Sequence, residues 1–183
     1  MKKILLVLAI IMSANFTTAQ TKVGDVTLPN TITLSGESMD LNGAGMREKL
    51  WMDLYAGGLY VQTKSSDANT IINANAPMAM KLHIISGMVS QSKMVGAVTD
   101  GFENSTTGKA TTTERAAFTA CFNDEINKGD IFDIVYANGT TIVYKNGTKK
   151  GSVAGLEFKK ALFGIWLSSK PADKDLKKGM LGK

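Results

Sequence analysis

The sequence predicts an α+β fold built on a large, mainly antiparallel sheet. Three observations carry that expectation. Two Asn-Gly pairs punctuate one β-branched stretch, strand-rich and helix-rich segments are segregated, and three later segments show apolar residues at helical spacing. Ile131 to Ala137 is followed by Asn138-Gly139, Thr140 to Lys145 by Asn146-Gly147, and Thr148 to Leu156 completes the run. Asn-Gly suits a two-residue type I′ turn, because both central residues must accept positive φ. Residues 131–156 therefore read as a three-stranded meander, with Phe132, Ile134 and Tyr136 on one face beside Val143. Both pairs also fit the acceptor pattern for N-glycosylation, but turn chemistry accounts for them.

The other elements follow in order. Val26 to Leu34 alternates around Pro29-Asn30. Lys49 to Gln62 reads as one long aromatic and aliphatic strand, and Lys81 to Ile85 as a short one. Met94, Val98 and Phe102 place a helix over roughly 90–104. Thr111 and Glu114 form a capping box ahead of Ala117, Phe118, Cys121, Phe122 and Ile126. Phe158, Ala161, Leu162, Ile165 and Trp166 make a stripe that puts Lys159 and Lys160 on the opposite, solvated face. A last short helix is expected at about 172–180, ending near Gly179 or Gly182.

Residues 1–19 read as a secretory leader: Lys2 and Lys3, then an apolar run from Ile4 to Met12, then small residues before a cut between Ala19 and Gln20. That run is shorter than the roughly 20 residues that cross a bilayer. Residues 20–183 form one domain, expected in the periplasm or secreted, with no stable membrane insertion once the leader is removed. The net charge of +5 is spread along the chain, without a basic stripe or stacking aromatics, so no nucleic-acid partner is expected. One cysteine, Cys121, and one histidine, His83, do not make a zinc site, and no cofactor or metal is expected. Cys121 sits on an apolar helical stripe as a small hydrophobe, and His83 sits mid-strand.

No generic catalytic motif is present. Arg47 stands out, since it follows Leu41-Asn42-Gly43-Ala44-Gly45-Met46, whose glycines allow close backbone approach, and precedes an apolar strand. The residues leave two readings open. Arg47 is either at the surface or paired with an acid such as Asp53, or it points into the concave side of the sheet. There a buried guanidinium needs an anion, and a carboxylate matches its fork.

From Leu41 to Arg47 onward, the chain resembles the chalcone isomerase-like family. The resemblance runs through Leu54-Tyr55-Ala56-Gly57-Gly58-Leu59-Tyr60, Lys81 to Gly87, Gly151 to Phe158, Ala161 to Trp166 and Asp175 to Leu181. It implies an open-faced β-sandwich, with helices covering one side of the sheet above a ligand cleft. Arg47 matches the arginine that stabilises negative charge in the catalytic branch, and Lys81 matches a lysine of that branch. Ser90 falls at the catalytic tyrosine position, Ala97 near an asparagine, and Ile165 at a threonine. Tyr55 matches a tyrosine that holds a carboxylate, together with the arginine, in the fatty-acid-binding branch.

The resemblance thus implies a largely non-catalytic protein that binds a small amphipathic acid such as a fatty acid. Its ligand site comprises Arg47, Tyr55, Lys81 and Ile165, with Leu54, Ile84, Met94, Val98, Leu162 and Trp166 as candidate walls. The alternative is an isomerase or intramolecular lyase for a flavonoid-like α,β-unsaturated carbonyl compound, using Arg47 and Lys81 as catalytic groups. A third possibility is action through a protein partner with a vestigial pocket. The sequence assigns no oligomeric state.

Overall fold

The computed structural model describes residues 20–183, so the leader expected at residues 1–19 lies outside the described residues. The chain opens with a hairpin, β1 (Gln20–Val23) and β2 (Val26–Pro29). A seven-stranded sheet follows: β3 (Thr31–Leu34), β4 (Glu37–Lys49), β5 (Met52–Val61), β6 (Met78–Ile84), β7 (Ile131–Ala137), β8 (Thr140–Lys145) and β9 (Thr148–Ala154). The strands lie side by side in chain order, and every neighbouring pair is antiparallel. The helices are insertions or extensions of this meander: α1 (Ala68–Asn73), α2 (Gln91–Asn104), α3 (Thr112–Thr119), α4 (Leu156–Leu167) and α5 (Lys174–Met180).

Pleating sorts the residues onto two faces. Tyr55, Leu59, Met80, Leu82, Ile84, Phe132, Ile134, Tyr136 and Val143 join the main core with Val98, Phe102, Phe118, Phe158 and Leu162 of the helices. The opposite face is covered only in part. The first hairpin lays Val26 and Leu28 over it, and Ile32 of β3 with Met39 and Leu41 of β4 form a further small cluster there. The result is the open-faced sandwich anticipated from sequence, with the meander at 131–154 and Phe132, Ile134, Tyr136 and Val143 on the shared face.

Two expectations need correction. The strand expected from Lys49 to Gln62 is broken at Leu50-Trp51, a two-residue turn joining β4 to β5. Both residues have positive φ, 51° and 62°. Ser35-Gly36, Asn138-Gly139 and Asn146-Gly147 adopt the same sense at three other hairpins, where a small or amide side chain followed by glycine suits it. Leucine and tryptophan do not, at a cost of about 1–2 kcal/mol per residue.

Lys159 is the second correction. It is 0 % exposed, not solvated. Its Nζ donates to the carbonyls of Ile71 (3.0 Å), Ile72 (2.8 Å) and Ala74 (2.8 Å), closing the C-terminal end of α1. The ammonium also lies over the rings of Tyr136 and Phe163. Burial pushes its pKa down to about 8. The apolar stripe of α4 faces the core as its spacing implies, but α1, which the sequence does not signal, covers the face assigned to solvent.

The glycines around Arg47 have a concrete role. β4 and β5 pair Gly45 with Gly57 and Arg47 with Tyr55, and α5 lies across them. A methyl group on Gly43 would collide with the carbonyl oxygen of Gly179 in α5, and one on Gly45 would sit 3.3 Å from Leu176 Cα. Asn42, left out of the ladder by a bulge, donates to the carbonyls of Ser65 (3.0 Å) and Met180 (2.7 Å) and accepts from the Ser65 N–H. The segment Leu41–Arg47 is therefore the bed of α5.

Gly43→Ala is expected to destabilise the protein by about 1–3 kcal/mol in urea unfolding, with faster amide exchange in α5, because backbone blocks the added methyl. Gly96→Ala, a helix position with open space around it, is expected to stabilise by about 0.5–1 kcal/mol. Equal effects at the two positions would show that α5 does not rest on Gly43.

Candidate functional site

Between the helix-covered face of the sheet and α2 lies a cleft of about 980 Å³. Tyr55 and Leu82 form part of its floor. Met94, Val98 and Gly101 of α2 form one wall. Ile165 and Trp166 of α4 close the inner end, and the segment from Ser169 to Lys174 forms the side nearest α5. Gly101 is required by close packing, since a methyl there would meet Ile165 Cγ2 at 2.6 Å. A register shift after Arg47 leaves Leu54 out of the β4–β5 ladder, and Leu54 and Tyr55, though consecutive, both line the cleft.

Arg47 reaches the cleft with 20 % of its side chain exposed. Its Nη1 donates to Asp173 Oδ2 at 2.9 Å and to the Glu48 carbonyl at 2.9 Å. Asp173 is the N-cap of α5, and its other oxygen, Oδ1, accepts from the N–H groups of Asp175 (2.8 Å) and Leu176 (2.9 Å). One carboxylate thus starts the helix and holds the guanidinium. The structure combines parts of the two readings open for Arg47: it is paired with an internal acid, Asp173 rather than Asp53, and it also lines the cleft. Nη2 and Nε have no protein acceptor among the described residues, which leaves donors for a further anion.

Tyr55 lies opposite Arg47 in the ladder. Its hydroxyl oxygen accepts from Trp166 Nε1 at 3.0 Å, and its own proton has no acceptor among the described residues. Burial raises its pKa, opposed by the Trp166 hydrogen bond and the Arg47 charge. Tyr55 is therefore a neutral phenol at ordinary pH, able to donate.

The remaining sequence candidates divide. Ile165 and Ala97 line the cleft, as do Leu54, Met94, Val98 and Trp166. Ile84 and Leu162 are buried in the core behind it. Lys81 is not brought to the cleft: it pairs with Gly58 and Asp133 in the ladder, on the opposite face of the sheet, and its Nζ bonds Asp133 at 2.5 Å. Ser90 is the N-cap of α2, where its hydroxyl accepts from the Lys93 N–H. Cys121 is buried and packed in the core, with its pKa raised by burial. No cluster of three metal-ligating side chains occurs among the described residues.

Sequence reasoning missed Asp173 and the charge of the rim. Lys49, Lys93, Lys170 and Lys174 line the cleft with Arg47, against a single acid, Asp100. An aspartate directly ahead of α5 was the available signal for Asp173 as a helix cap.

A curled antiparallel sheet with helices on one face, holding a mainly apolar cleft that Arg47 lines, defines an open-faced α+β domain. The chain belongs to the chalcone isomerase-like family, whose profile matches residues 20–182. The crystal structure of a fatty-acid binding protein from Arabidopsis thaliana shares the fold, with a TM-score of 0.68 at 21 % identity, covering 86 % of this chain and 92 % of that one. No curated protein sequence matches significantly.

Tyr55, Tyr60 and Tyr136 are all raised by burial, so their phenolate absorbance is expected only above the usual pKa of about 10. The unfolded chain ionises them earlier. Their contribution to stability is complete below pH 10 and is lost as pH rises through the folded values. Tyr55→Phe should remove one late-titrating phenol. A Tyr55 that ionises near pH 10 with the fold intact would mean that its hydroxyl is open to water.

Proposed function

We propose that this protein binds a small amphipathic carboxylate of the fatty-acid type, with the head group at Arg47 and Tyr55 and the chain along the apolar walls. The observation that carries the reading is the pairing, along one mainly apolar cleft, of guanidinium donors that no protein acceptor among the described residues takes up with a phenol whose proton has no acceptor there. Trp166 supports it by donating to the Tyr55 oxygen, which strengthens the phenol as a donor. The volume falls in the range of ligand pockets, about 300–1,000 Å³. The plant protein that shares the fold is a fatty-acid binding protein, which supports the same ligand class.

A ligand carboxylate here shares Arg47 with Asp173. Two anions on one guanidinium leave an excess negative charge, and the four lysines lining the cleft offset it. The isomerase alternative has less support. Of the groups its chemistry requires, the cleft offers Arg47, while Ala97 and Ile165 supply no proton-transfer function, Ser90 is engaged as a helix cap and Lys81 lies across the sheet. We also assign the protein to a compartment outside the cytoplasm. Its amino terminus after export is expected at Gln20, which N-terminal sequencing of the envelope or secreted fraction checks.

Titration with a fluorescent fatty acid tests the ligand. Arg47→Ala is expected to weaken binding about 10- to 100-fold, the loss of a charge-assisted hydrogen bond. Asp173→Asn keeps a good helix cap and removes the competing anion, so affinity is expected to rise several-fold. Equal affinity for wild type and Arg47→Ala would overturn the assignment. Steady absorbance of a chalcone panel, with no turnover above background, is the parallel outcome expected here, whereas turnover that Arg47→Ala abolishes would favour the isomerase alternative.

A further inference from the structure

The mouth of the cleft carries side chains that suit water poorly. Leu50, Trp51, Met52 and Met88 are the exposed large hydrophobic residues among those described, at 72 %, 96 %, 38 % and 48 %. They gather at one place: Leu50, Met52 and Met88 line the cleft, and Trp51 stands beside Leu50 at the tip of the β4–β5 turn. The charges of the opening are one-sided. Lys49, Lys93, Lys170 and Lys174 line it against Asp100, while Glu48 and Asp53, paired across the ladder next to the turn, do not line the cleft.

The turn adds a second observation. Leu50 and Trp51 occupy left-handed backbone that the chain fills with Ser35-Gly36 at the β3–β4 turn and with Asn-Gly at the β7–β8 and β8–β9 turns. Strained positions persist where a function needs them. Here the strain holds a leucine and a tryptophan outward, beside the opening.

We propose that this rim docks on an anionic lipid bilayer. Trp51 and Leu50 enter the boundary between head groups and acyl chains, where an amphipathic indole is favoured. The lysines meet the lipid phosphates, each worth about fivefold in affinity near a charged surface. Docked in this way, the cleft opens into the lipid. Exchange of a fatty acid with the bilayer rests on the ligand reading above, but docking itself needs no fatty acid, so the two fail separately.

The test uses protein spanning residues 20–183, which carries the whole fold described and omits the apolar leader. It is mixed with vesicles of phosphatidylcholine, with and without phosphatidylglycerol. Co-sedimentation is expected with the phosphatidylglycerol vesicles and is expected to weaken with salt. Trp166 is buried, so a blue shift of tryptophan emission on binding reports Trp51. The double variant Leu50→Asn/Trp51→Gly installs the favoured turn residues. It is expected to have a higher Tm and to lose vesicle affinity by about tenfold or more. Trp51→Gly alone is expected to keep the solution affinity for a fluorescent fatty acid, since Trp51 does not line the cleft. Three outcomes would each overturn the proposal: no binding to phosphatidylglycerol vesicles, undiminished binding by the double variant, or a wild-type dimer in ultracentrifugation that the double variant converts to monomer. The last would assign the patch to a second copy of the chain.

Discussion

The carboxylate of Asp173 joins the start of α5 to β4. One oxygen starts α5 and the other pins Arg47 on β4. The arrangement works only because Gly43 and Gly45 let the helix lie against the strand, and because Asn42 ties down its far end at Met180. Without the pair, a guanidinium would face an apolar cleft alone, at the desolvation cost of an unmatched charge. The cleft around Arg47 therefore takes its shape from an interaction internal to the protein, which fixes the guanidinium's orientation before anything binds.

That arrangement sets a tension between stability and binding. Asp173 occupies one amino group of Arg47 and leaves the other donors to an incoming anion. A fully satisfied Arg47 would hold α5 but bind nothing. A bare one would bind strongly, and would cost stability whenever the cleft was empty. Sharing the guanidinium is a compromise between these, and an anion bound as proposed would sit beside a second negative charge, that of Asp173. The lysine-rich rim follows from the same electrostatics, because without it two carboxylates on one cation would repel through a low-dielectric site. Tyr55 contributes without adding charge. Its phenol is held neutral by burial and oriented by Trp166, so it donates to an anion without needing a counterion.

Much of the fold was legible from residues whose chemistry acts locally. Asn138-Gly139 and Asn146-Gly147 located two hairpins because only such residues adopt those dihedrals cheaply, and Thr111 with Glu114 located the start of α3 by a capping box that the structure reproduces. What the sequence hid depends on partners remote in the chain. Lys159 looked solvated because α1 was not foreseen, and only the three carbonyls ending that helix make the site habitable for an ammonium. Arg47 and Tyr55 emerged as a pair through family resemblance. Their common facing is a matter of register, fixed by a bulge that no composition reveals. Lys81 illustrates the converse. Its position in the motif matched, but strand alternation puts it with Asp133 on the far side of the sheet, one residue out of phase with Leu82 on the cleft floor.

The β4–β5 turn was illegible for a different reason: its residues contradict its geometry. Apolar, bulky Leu50 and Trp51 read as strand, and a chain selected for folding alone would carry asparagine and glycine there, as it does twice elsewhere. Locally inconsistent positions in an otherwise consistent sequence concentrate at functional sites. This one lies where the cleft opens, among the exposed methionines and beneath the lysines, and not on the far edge of the sheet. The rest of the fold tolerates a strained turn at that point because β4 and β5 are long and paired over most of their length, so the penalty falls on a segment that the ladder already holds in register. Strain, greasy exposure and positive charge thus coincide at the opening of the cleft that Arg47 lines. Each has a separate physical cost, and a single encounter with a charged lipid surface relieves the exposure and uses the charge.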